Sequence, residues 1–280
     1  MHLTFLGTSA AEAYPNAFCG CSNCEQARAL GGPNLRKRSC ALIDDHLLID
    51  LGPDLMAAST LHGRSLAGLR YCLQTHAHAD HLDVAHFLVR SPEYGVPAAP
   101  RLHFYGSSAT VRRAARLLET DLGPDGLLDP AVGDRLNLTI HQIAPFEPLA
   151  VGPYRVTAFP ATHDPAVEPL LYVIEGDGRT IFYSTDTAPL SEDVWRAFGR
   201  HGLRFDVAIL DHTYDDAGDT DHLNAEQFSA HVARLRAEDR LAPAARVLGT
   251  HFSHAVPVHA ELVARAARHG YEIAYDGLTV

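Results

Sequence analysis

The chain has 280 residues, an apolar content of 46% and a formal net charge of −11 at pH 7. The acidic balance makes nucleic acid an unlikely partner, because phosphate-backbone binding needs clustered Lys and Arg and the only dense basic run is residues 36–38. No apolar run reaches the 18 residues of a transmembrane helix, and residues 1–7 are typical of a strand and not of a signal peptide. We therefore expect a cytoplasmic protein without a membrane span. We also expect it to fold as one domain over residues 1–280.

Short apolar runs bounded by Gly, Pro and Asp predict ten β-strands. They are residues 3–7, 41–43, 47–50, 69–74, 102–105, 155–158, 170–174, 180–183, 207–210 and 246–249. Helical periodicity predicts helices at residues 109–118, 191–198, 224–238 and 257–269. Residues 123–134, rich in Gly, Pro and Asp, predict a loop that either borders the functional site or connects the two halves. This order favours sheets covered on the outside by helices, an α/β layered architecture.

A short polar segment directly after one predicted strand carries the strongest functional signal. Residues 75–81 read Thr-His-Ala-His-Ala-Asp-His. Alternate residues at a strand end share a face, so His76 and His78 can point to one side while the following turn directs Asp80 and His81 to a neighbouring point. Three imidazoles and a carboxylate in six positions favour a metal site over an ordinary polar turn. The arrangement suits two metal ions of the kind used in metal-assisted hydrolysis.

Four residues cannot complete two metal shells, so the segment predicts further ligands, and the second half of the chain contains candidates. His163, Asp186 and His251 each follow a predicted strand, and Asp186 lies where a carboxylate could bridge two ions. Upstream, Asp50 lies at another strand-to-loop transition. Its position is equally typical of a strand-end cap and of a residue that supports a metal ligand.

Three of the five cysteines fall within six residues, as Cys19, Cys21 and Cys24, whereas Cys40 and Cys72 stand apart. An odd number at this spacing fits a thiolate metal site better than a disulfide framework, although free thiols would give the same pattern. Zinc favours sulfur-rich tetrahedral sites, so a closed zinc site would need a fourth ligand.

In this order, the His-rich segment and the three later residues resemble the metallo-β-lactamase superfamily over nearly the whole chain. The resemblance implies a metallo-β-lactamase-like αββα four-layer sandwich with metal ions at one edge of the two sheets. It implies a first metal held by His76, His78 and His163, a second held by Asp80, His81 and His251, and Asp186 bridging them. Asp50 would accept a hydrogen bond from a ligand imidazole and fix its tautomer.

A narrower resemblance, to the PhnP-type phosphodiesterases of the carbon–phosphorus lyase pathway, is carried by three segments. They are the Gly7-Thr8 turn after the first strand, the C-x-C-x-x-C of Cys19, Cys21 and Cys24, and the T-H-x-S-H of residues 250–254. The resemblance implies that His254 completes a structural zinc site, with Cys40 as the rival fourth ligand. It also implies that His222, in a polar loop ahead of a late helix, acts on the scissile phosphate as general acid or electrostatic stabiliser. The alternative is an exposed loop histidine.

The chain departs from that family in residues 90–99, 211–214 and 215–220. We expect these segments to border the pocket, so the substrate can differ even where the metals do not. His86, Asp164 and His212 are candidates to line the pocket, with ordinary surface residues as the alternative.

Together these observations predict a metal-dependent hydrolase, a phosphodiesterase that acts on a small linear or cyclic phosphodiester through a metal-bridging hydroxide. Asp80 and His222 are the predicted catalytic residues. Mixed His and carboxylate ligands suit Zn²⁺, Mn²⁺ or Fe²⁺, and the resemblance favours Mn or Zn at the catalytic pair and Zn at the cysteines. The alternatives are lactone, thioester or RNA 3′-end cleavage on the same metals, a biosynthetic role like the pyrroloquinoline quinone B proteins, or a metal-binding protein without catalysis. A homodimer is the candidate oligomeric state.

Overall fold

Six strands form the first of two β-sheets, in the order β1–β2–β3–β4–β5–β6. The computed structural model describes residues 1–96, 99–124, 126–215 and 221–280. The strands are β1 (Leu3–Gly7), β2 (Cys40–Ile43), β3 (Leu47–Ile49), β4 (Tyr71–Leu73), β5 (Leu102–Gly106) and β6 (Leu138–Gln142). Strands β1, β2 and β3 pair antiparallel, and β3 to β6 pair parallel. The parallel pairing brings the carboxyl ends of β3 and β4 to one edge of the sheet.

Seven strands form the second sheet, in the order β13–β12–β11–β10–β9–β8–β7. They are β7 (Pro148–Val151), β8 (Tyr154–Pro160), β9 (Leu170–Gly176), β10 (Arg179–Ser184), β11 (Phe205–Asp211), β12 (Leu241–Thr250) and β13 (Glu272–Ile273). Strands β10 to β13 pair parallel, and β7 to β10 pair antiparallel. The carboxyl ends of β8, β10, β11 and β12 therefore share one edge.

Nine α-helices lie in the described ranges. They are α1 (Ser22–Leu30), α2 (Leu55–Leu61), α3 (Ala85–Val89), α4 (Ser108–Leu117), α5 (Glu119–Leu122), α6 (Pro130–Leu136), α7 (Glu192–Arg200), α8 (Ala225–Ala237) and α9 (His259–Ala267). Helix α8 begins at a capping box, in which Asn224 accepts from the N–H of Gln227 and the Gln227 side chain accepts from the N–H of Asn224. In these ranges no helix is long and apolar enough to cross a membrane.

Three apolar clusters define four layers. The first lies between the sheets and includes Phe5 from β1, Tyr172 from β9 and Ile209 from β11. The second packs α2 and α4 on the outer face of the first sheet, and the third packs α7 and α8 on the outer face of the second. Each sheet thus buries both faces, and the predicted αββα sandwich is confirmed.

All ten predicted strands are present, most of them extended by one or more residues, and the four predicted helices are present with shifted ends. Strands β6, β7 and β13 and helices α1, α2, α3, α5 and α6 were not predicted. The loop predicted at residues 123–134 is wrong in part, because it contains a 3₁₀ turn at Gly126–Leu128 and the start of α6. Of the segments expected to border the pocket, residues 97–98 and 216–220 lie outside the described residues.

Candidate metal centre

The residues predicted for the catalytic metal pair, together with the unpredicted Asp211, meet at the edge where strands of both sheets end. Asp50 follows β3, residues 75–81 follow β4, His163 follows β8, Asp186 follows β10, Asp211 ends β11 and His251 follows β12. The N–H of Leu170 donates to the Thr75 carbonyl at 2.9 Å and joins the two sheets there. Asp50, Asp186 and His251 have φ values of 67°, 53° and 65°. Left-handed conformations are uncommon outside glycine, although Asp and His adopt them more readily than most residues, and they concentrate at functional sites.

Three imidazoles form the first cluster, with one nitrogen of each directed at a common point. His76 Nε2 lies 2.9 Å from His78 Nδ1, which lies 3.3 Å from His163 Nε2. Burial, together with the charge of neighbouring His81, holds the pKa of His76 well below its usual range, so its ring is neutral at pH 7. Three inward nitrogens at this spacing suit one divalent cation.

The outward nitrogen of each ring in this cluster lies near an oxygen. His76 Nδ1 is 3.0 Å from Thr75 Oγ1, and His78 Nε2 is 3.5 Å from the Asp164 carboxylate. His163 Nδ1 donates to the carbonyl of Asp221 at 3.2 Å. A proton held on the outward side leaves the inward lone pair available to a metal, which is how proteins orient ligand imidazoles.

The second cluster consists of Asp80, His81, Asp186 and His251, all buried. His81 Nε2 lies 3.1 Å from Asp80 Oδ2 and 3.0 Å from Asp186 Oδ2, and His251 Nε2 lies 3.1 Å from the same Asp186 oxygen. These are ion-pair distances without hydrogen-bond geometry, so within the described part of the chain His81 Nε2, Asp186 Oδ2 and His251 Nε2 are buried and make no hydrogen bond. Buried polar atoms are rarely left unpaired, and a shared cation would satisfy all three.

The electrostatics of the second cluster also favour a bound cation. Burial opposes the charged form of His81, but the carboxylates of Asp186, Asp80 and Asp50 outweigh it and raise its pKa well above the usual range. Burial likewise opposes ionisation of Asp186, but His251 and His81 hold its pKa well below the usual range. A positive charge is therefore stabilised between these carboxylates, and metal binding there would release a proton.

Asp50 holds the His-rich segment of residues 75–81 in place through hydrogen bonds. It accepts hydrogen bonds from the Thr75 N–H at 2.7 Å, the Thr75 hydroxyl at 2.8 Å and the Gln74 amide at 3.0 Å. It also accepts from His81 Nδ1 at 2.7 Å, which leaves His81 Nε2 directed into the second cluster. The geometry therefore gives Asp50 the contacts expected of a residue that orients a ligand imidazole, in addition to a strand-end position.

Asp211 does the same at the opposite loop, and it was not predicted as a site residue. It accepts from the Thr213 N–H at 2.9 Å, the Thr213 hydroxyl at 2.8 Å and His222 Nδ1 at 3.0 Å. The Thr213 oxygen lies 2.8 Å from His251 Nδ1. Each of these two buried Asp residues thus holds one imidazole directly and another through a Thr hydroxyl. Asp50 holds His81 and, through Thr75, His76, whereas Asp211 holds His222 and, through Thr213, His251.

His222 lies over both clusters, with its ring centroid 5.0 Å from that of His163 and 5.2 Å from that of His251. Burial lowers the pKa of His222, but the hydrogen bond to Asp211 and the nearby carboxylates outweigh it and raise the pKa to about 9. The ring is therefore protonated at pH 7 and can donate a proton at the site.

The three predicted zinc cysteines lie together, with sulfur atoms close enough to share one ion. A hydrogen bond from the N–H of Cys24 lowers the pKa of Cys21 to about 7, whereas burial raises the pKa of Cys24 to about 11. Sulfur in the thiolate form at neutral pH is what zinc binds. Cys40, the rival fourth ligand, is not grouped with these sulfur atoms among the described residues, and its buried thiol donates to the Asp50 carbonyl at 3.2 Å.

His254 is not grouped with the three sulfur atoms among the described residues. Its Nδ1 lies 2.9 Å from the Glu12 carboxylate, which also accepts from the Ser253 hydroxyl at 2.7 Å. The Asn23 amide donates to the Ala255 carbonyl at 2.9 Å and ties the cysteine segment to the loop of His254. A carboxylate on Nδ1 is the usual outer partner of an imidazole that binds zinc through its other nitrogen. The assignment of His254 as the fourth ligand stays a prediction.

Two of the three pocket candidates lie elsewhere. His86 is buried, with Nε2 3.0 Å from the Gly52 carbonyl, and His212 packs on Phe228 and Tyr271 in the layer behind the sheet. Asp164 is at the centre, beside His78. His86 lies in α3 and His212 directly follows β11, and neither position alone indicates which way the ring faces. The sequence therefore could not separate these two residues from Asp164.

A sequence profile of the beta-lactamase superfamily domain matches residues 45–252. Among curated proteins no sequence matches the chain. Solved structures also match, and three of those that cover all of this chain serve as examples. A diphosphatase of the PhnP family is 21% identical with a TM-score of 0.73 over 96% of its length. Zn²⁺-bound PqqB from Methylobacterium extorquens is 20% identical, with a TM-score of 0.75 over 99% of its length. The short form of human tRNase Z is 18% identical, with a TM-score of 0.67 over 98% of its length. These likenesses show a shared fold.

Proposed function

Since the chain belongs to the metallo-β-lactamase superfamily, whose members are generally metal-dependent hydrolases, we propose that it is a binuclear phosphodiesterase acting on a small phosphodiester. The observation that carries the proposal is the pair of adjacent clusters, one of three imidazoles and one of two imidazoles and two carboxylates. Asp186 belongs to the second cluster and also lies within reach of His163 of the first, which supports its role as the bridging ligand. Two neighbouring sites of this composition suit a two-metal hydrolase.

The proposed residue roles follow from these contacts. His76, His78 and His163 would hold one ion, and Asp80, His81 and His251 the other, with Asp186 shared. When bound, the two ions supply an activated water and polarise a phosphoryl oxygen. Asp50 and Asp211, through Thr75 and Thr213, keep the ligand imidazoles in the tautomer that binds metal. Asp80 would contribute to catalysis as a ligand of the second ion.

His222 is the proposed general acid. Its Nδ1–H is held by Asp211, so the proton on Nε2 is the one that can move. A raised pKa keeps the ring charged at pH 7, and a charged imidazole can both stabilise a phosphoryl oxygen and protonate the departing oxygen.

Substrate class rests on charge and on the structural neighbours. A net charge of −11 makes a long nucleic acid a poor partner, which weakens the likeness to tRNase Z as a guide. The diphosphatase of the PhnP family adds a phosphoanhydride to the substrates worth testing. A small diester, linear or cyclic, remains the proposed substrate, and a second copy of the chain in a homodimer is the proposed protein partner.

The proposal is tested with a substrate panel on metal-loaded protein: a cyclic phosphodiester, a linear phosphodiester, a diphosphate diester, a lactone and a thioester. We expect the highest kcat/KM on a phosphodiester. Turnover confined to the lactone or the thioester would reject the phosphodiesterase assignment and retain the hydrolase.

A structural zinc at Cys19, Cys21, Cys24 and His254 is the second part of the proposal. Cys21→Ser and His254→Ala are each expected to lower the zinc content by one ion per chain and to leave the catalytic pair in place. A lost stabilisation of about 2 kcal/mol would lower Tm by roughly 4–8 °C. Elemental analysis and a thermal melt measure both effects.

Cys40→Ser is the matched control for the structural zinc. Its hydroxyl can still donate to the Asp50 carbonyl, so zinc content should stay unchanged. Zinc lost from Cys40→Ser and retained in His254→Ala would assign the fourth ligand to Cys40.

A further inference from the structure

The carboxylate of Asp221 lies between one ring of the first cluster and His222. Its Oδ2 is 3.2 Å from His163 Nδ1, and its Oδ1 is 3.9 Å from His222 Nε2. The Asp221 carbonyl also accepts from His163 Nδ1 at 3.2 Å. The same residue therefore contacts a predicted metal ligand twice and directly precedes the predicted general acid.

The Asp221–His222 pair connects the two clusters. His222 is tied to the second cluster through Asp211, whose Thr213 partner holds His251. Asp221 reaches the first cluster through His163. Asp221 thus contacts His163 through both its carboxylate and its carbonyl, and His222 is the next residue in the chain.

We propose that Asp221 is a positioning residue that couples metal occupancy of the first cluster to the placement of His222. This inference rests on the proposed function for the identity of the two metal sites. His163 presents a lone pair to the cluster only when Nδ1 carries the proton, and a carboxylate at 3.2 Å stabilises that tautomer. Coupling of this kind is reciprocal, so the placement of Asp221 also affects metal affinity.

Asp164 provides a matched comparison on the other side of the same cluster. Its carboxylate is 3.5 Å from the outward nitrogen of His78, and both carboxylates are partly exposed. Asp164 sits on a different loop from His222. Replacing it should affect only the metal site, whereas replacing Asp221 should affect the metal site and His222.

The test follows the His222 ring by NMR of ¹⁵N-histidine-labelled protein while zinc is added to metal-free protein. A His222→Gln sample assigns the resonance, and His78→Ala, which removes a nitrogen of the first cluster only, identifies the part of the response that comes from that cluster. Zinc affinity is measured in parallel by competition with a chelator.

In the parent protein we expect the His222 resonance to shift as the first cluster fills. Asp221→Ala removes the carboxylate but keeps the main-chain carbonyl contact to His163. The shift of the His222 resonance should therefore be clearly reduced, and first-site zinc affinity should fall about tenfold. Asp221→Asn, which keeps an acceptor oxygen, should restore part of both, and Asp164→Ala should weaken zinc but keep the shift. A full shift with parent affinity in Asp221→Ala, or an equal reduction of the shift in Asp164→Ala, would overturn the proposal. No substrate is used, so a protein that hydrolyses no phosphodiester would defeat the proposed function without affecting this result.

Discussion

Asp186→Asn is expected to reduce hydrolysis to background and to lower the catalytic metal content from two ions to at most one. One Asp186 oxygen lies 3.0 Å from His81 Nε2 and 3.1 Å from His251 Nε2. The amide keeps the shape of the side chain and tolerates the φ of 53°, but it carries no charge to balance two cations. Several kcal/mol of lost transition-state stabilisation correspond to a loss of roughly 10³-fold or more in kcat/KM.

Asp193→Asn is the control for this substitution. Asp193 is exposed on α7 and pairs with Arg196, so its replacement should leave turnover and metal content unchanged. Both variants should retain the circular dichroism spectrum of the parent. Full turnover with two catalytic ions in Asp186→Asn would remove Asp186 from the centre.

His222→Ala is expected to retain both catalytic metals and to lower turnover by roughly 10²–10⁴-fold, the usual contribution of a positioned general acid. The loss should be largest for substrates with poor leaving groups, because a good leaving group departs without protonation. Rates on a series of aryl and alkyl phosphodiesters measure this, with elemental analysis of the same samples. Equal losses on all leaving groups, or loss of metal, would contradict the acid role.

The pH profile provides a second signature of His222. A general acid must be protonated, so kcat/KM should fall as pH rises through the pKa of His222, which lies at about 9. Cations bound nearby would move that descending limb to lower pH. Asp211→Asn removes the main group that raises the pKa and should move the limb lower still, while His222→Ala should abolish it. An unchanged limb in both variants would assign it to another group.

The clustering of these side chains could be predicted from the sequence because its signal is local and periodic. His76, His78, Asp80 and His81 follow one strand within six residues, so a single strand end is enough to bring them together. His163, Asp186 and His251 each follow a buried apolar run. The parallel pairing of β10, β11 and β12 places the carboxyl ends of the strands before Asp186 and His251 at one edge of the sheet.

Asp211 could not be recognised in the same way. One Asp at the end of β11 has no motif of its own, and its contacts come from Thr213, His222 and His251, which only the fold brings together. The signal that could have found it is its likeness to Asp50: in both cases an Asp ends or follows a strand, and a Thr hydroxyl then links it to a ligand imidazole.

The missed elements lacked a clear periodic pattern. Strand β6 includes His141 and Gln142 at the edge of its sheet, β7 begins with Pro148, and β13 has two residues. Their strand conformation depends on pairing with β5, β8 and β12 and is not evident from local propensity.

We propose that the chain is a two-metal phosphodiesterase with a separate structural zinc. The most direct test is elemental analysis of the purified chain combined with assays of the same sample on cyclic and linear phosphodiesters. We predict about three metal ions per chain, two at the catalytic pair and one zinc at the cysteines, together with phosphodiester hydrolysis. One metal ion per chain, or activity on lactones alone, would contradict it.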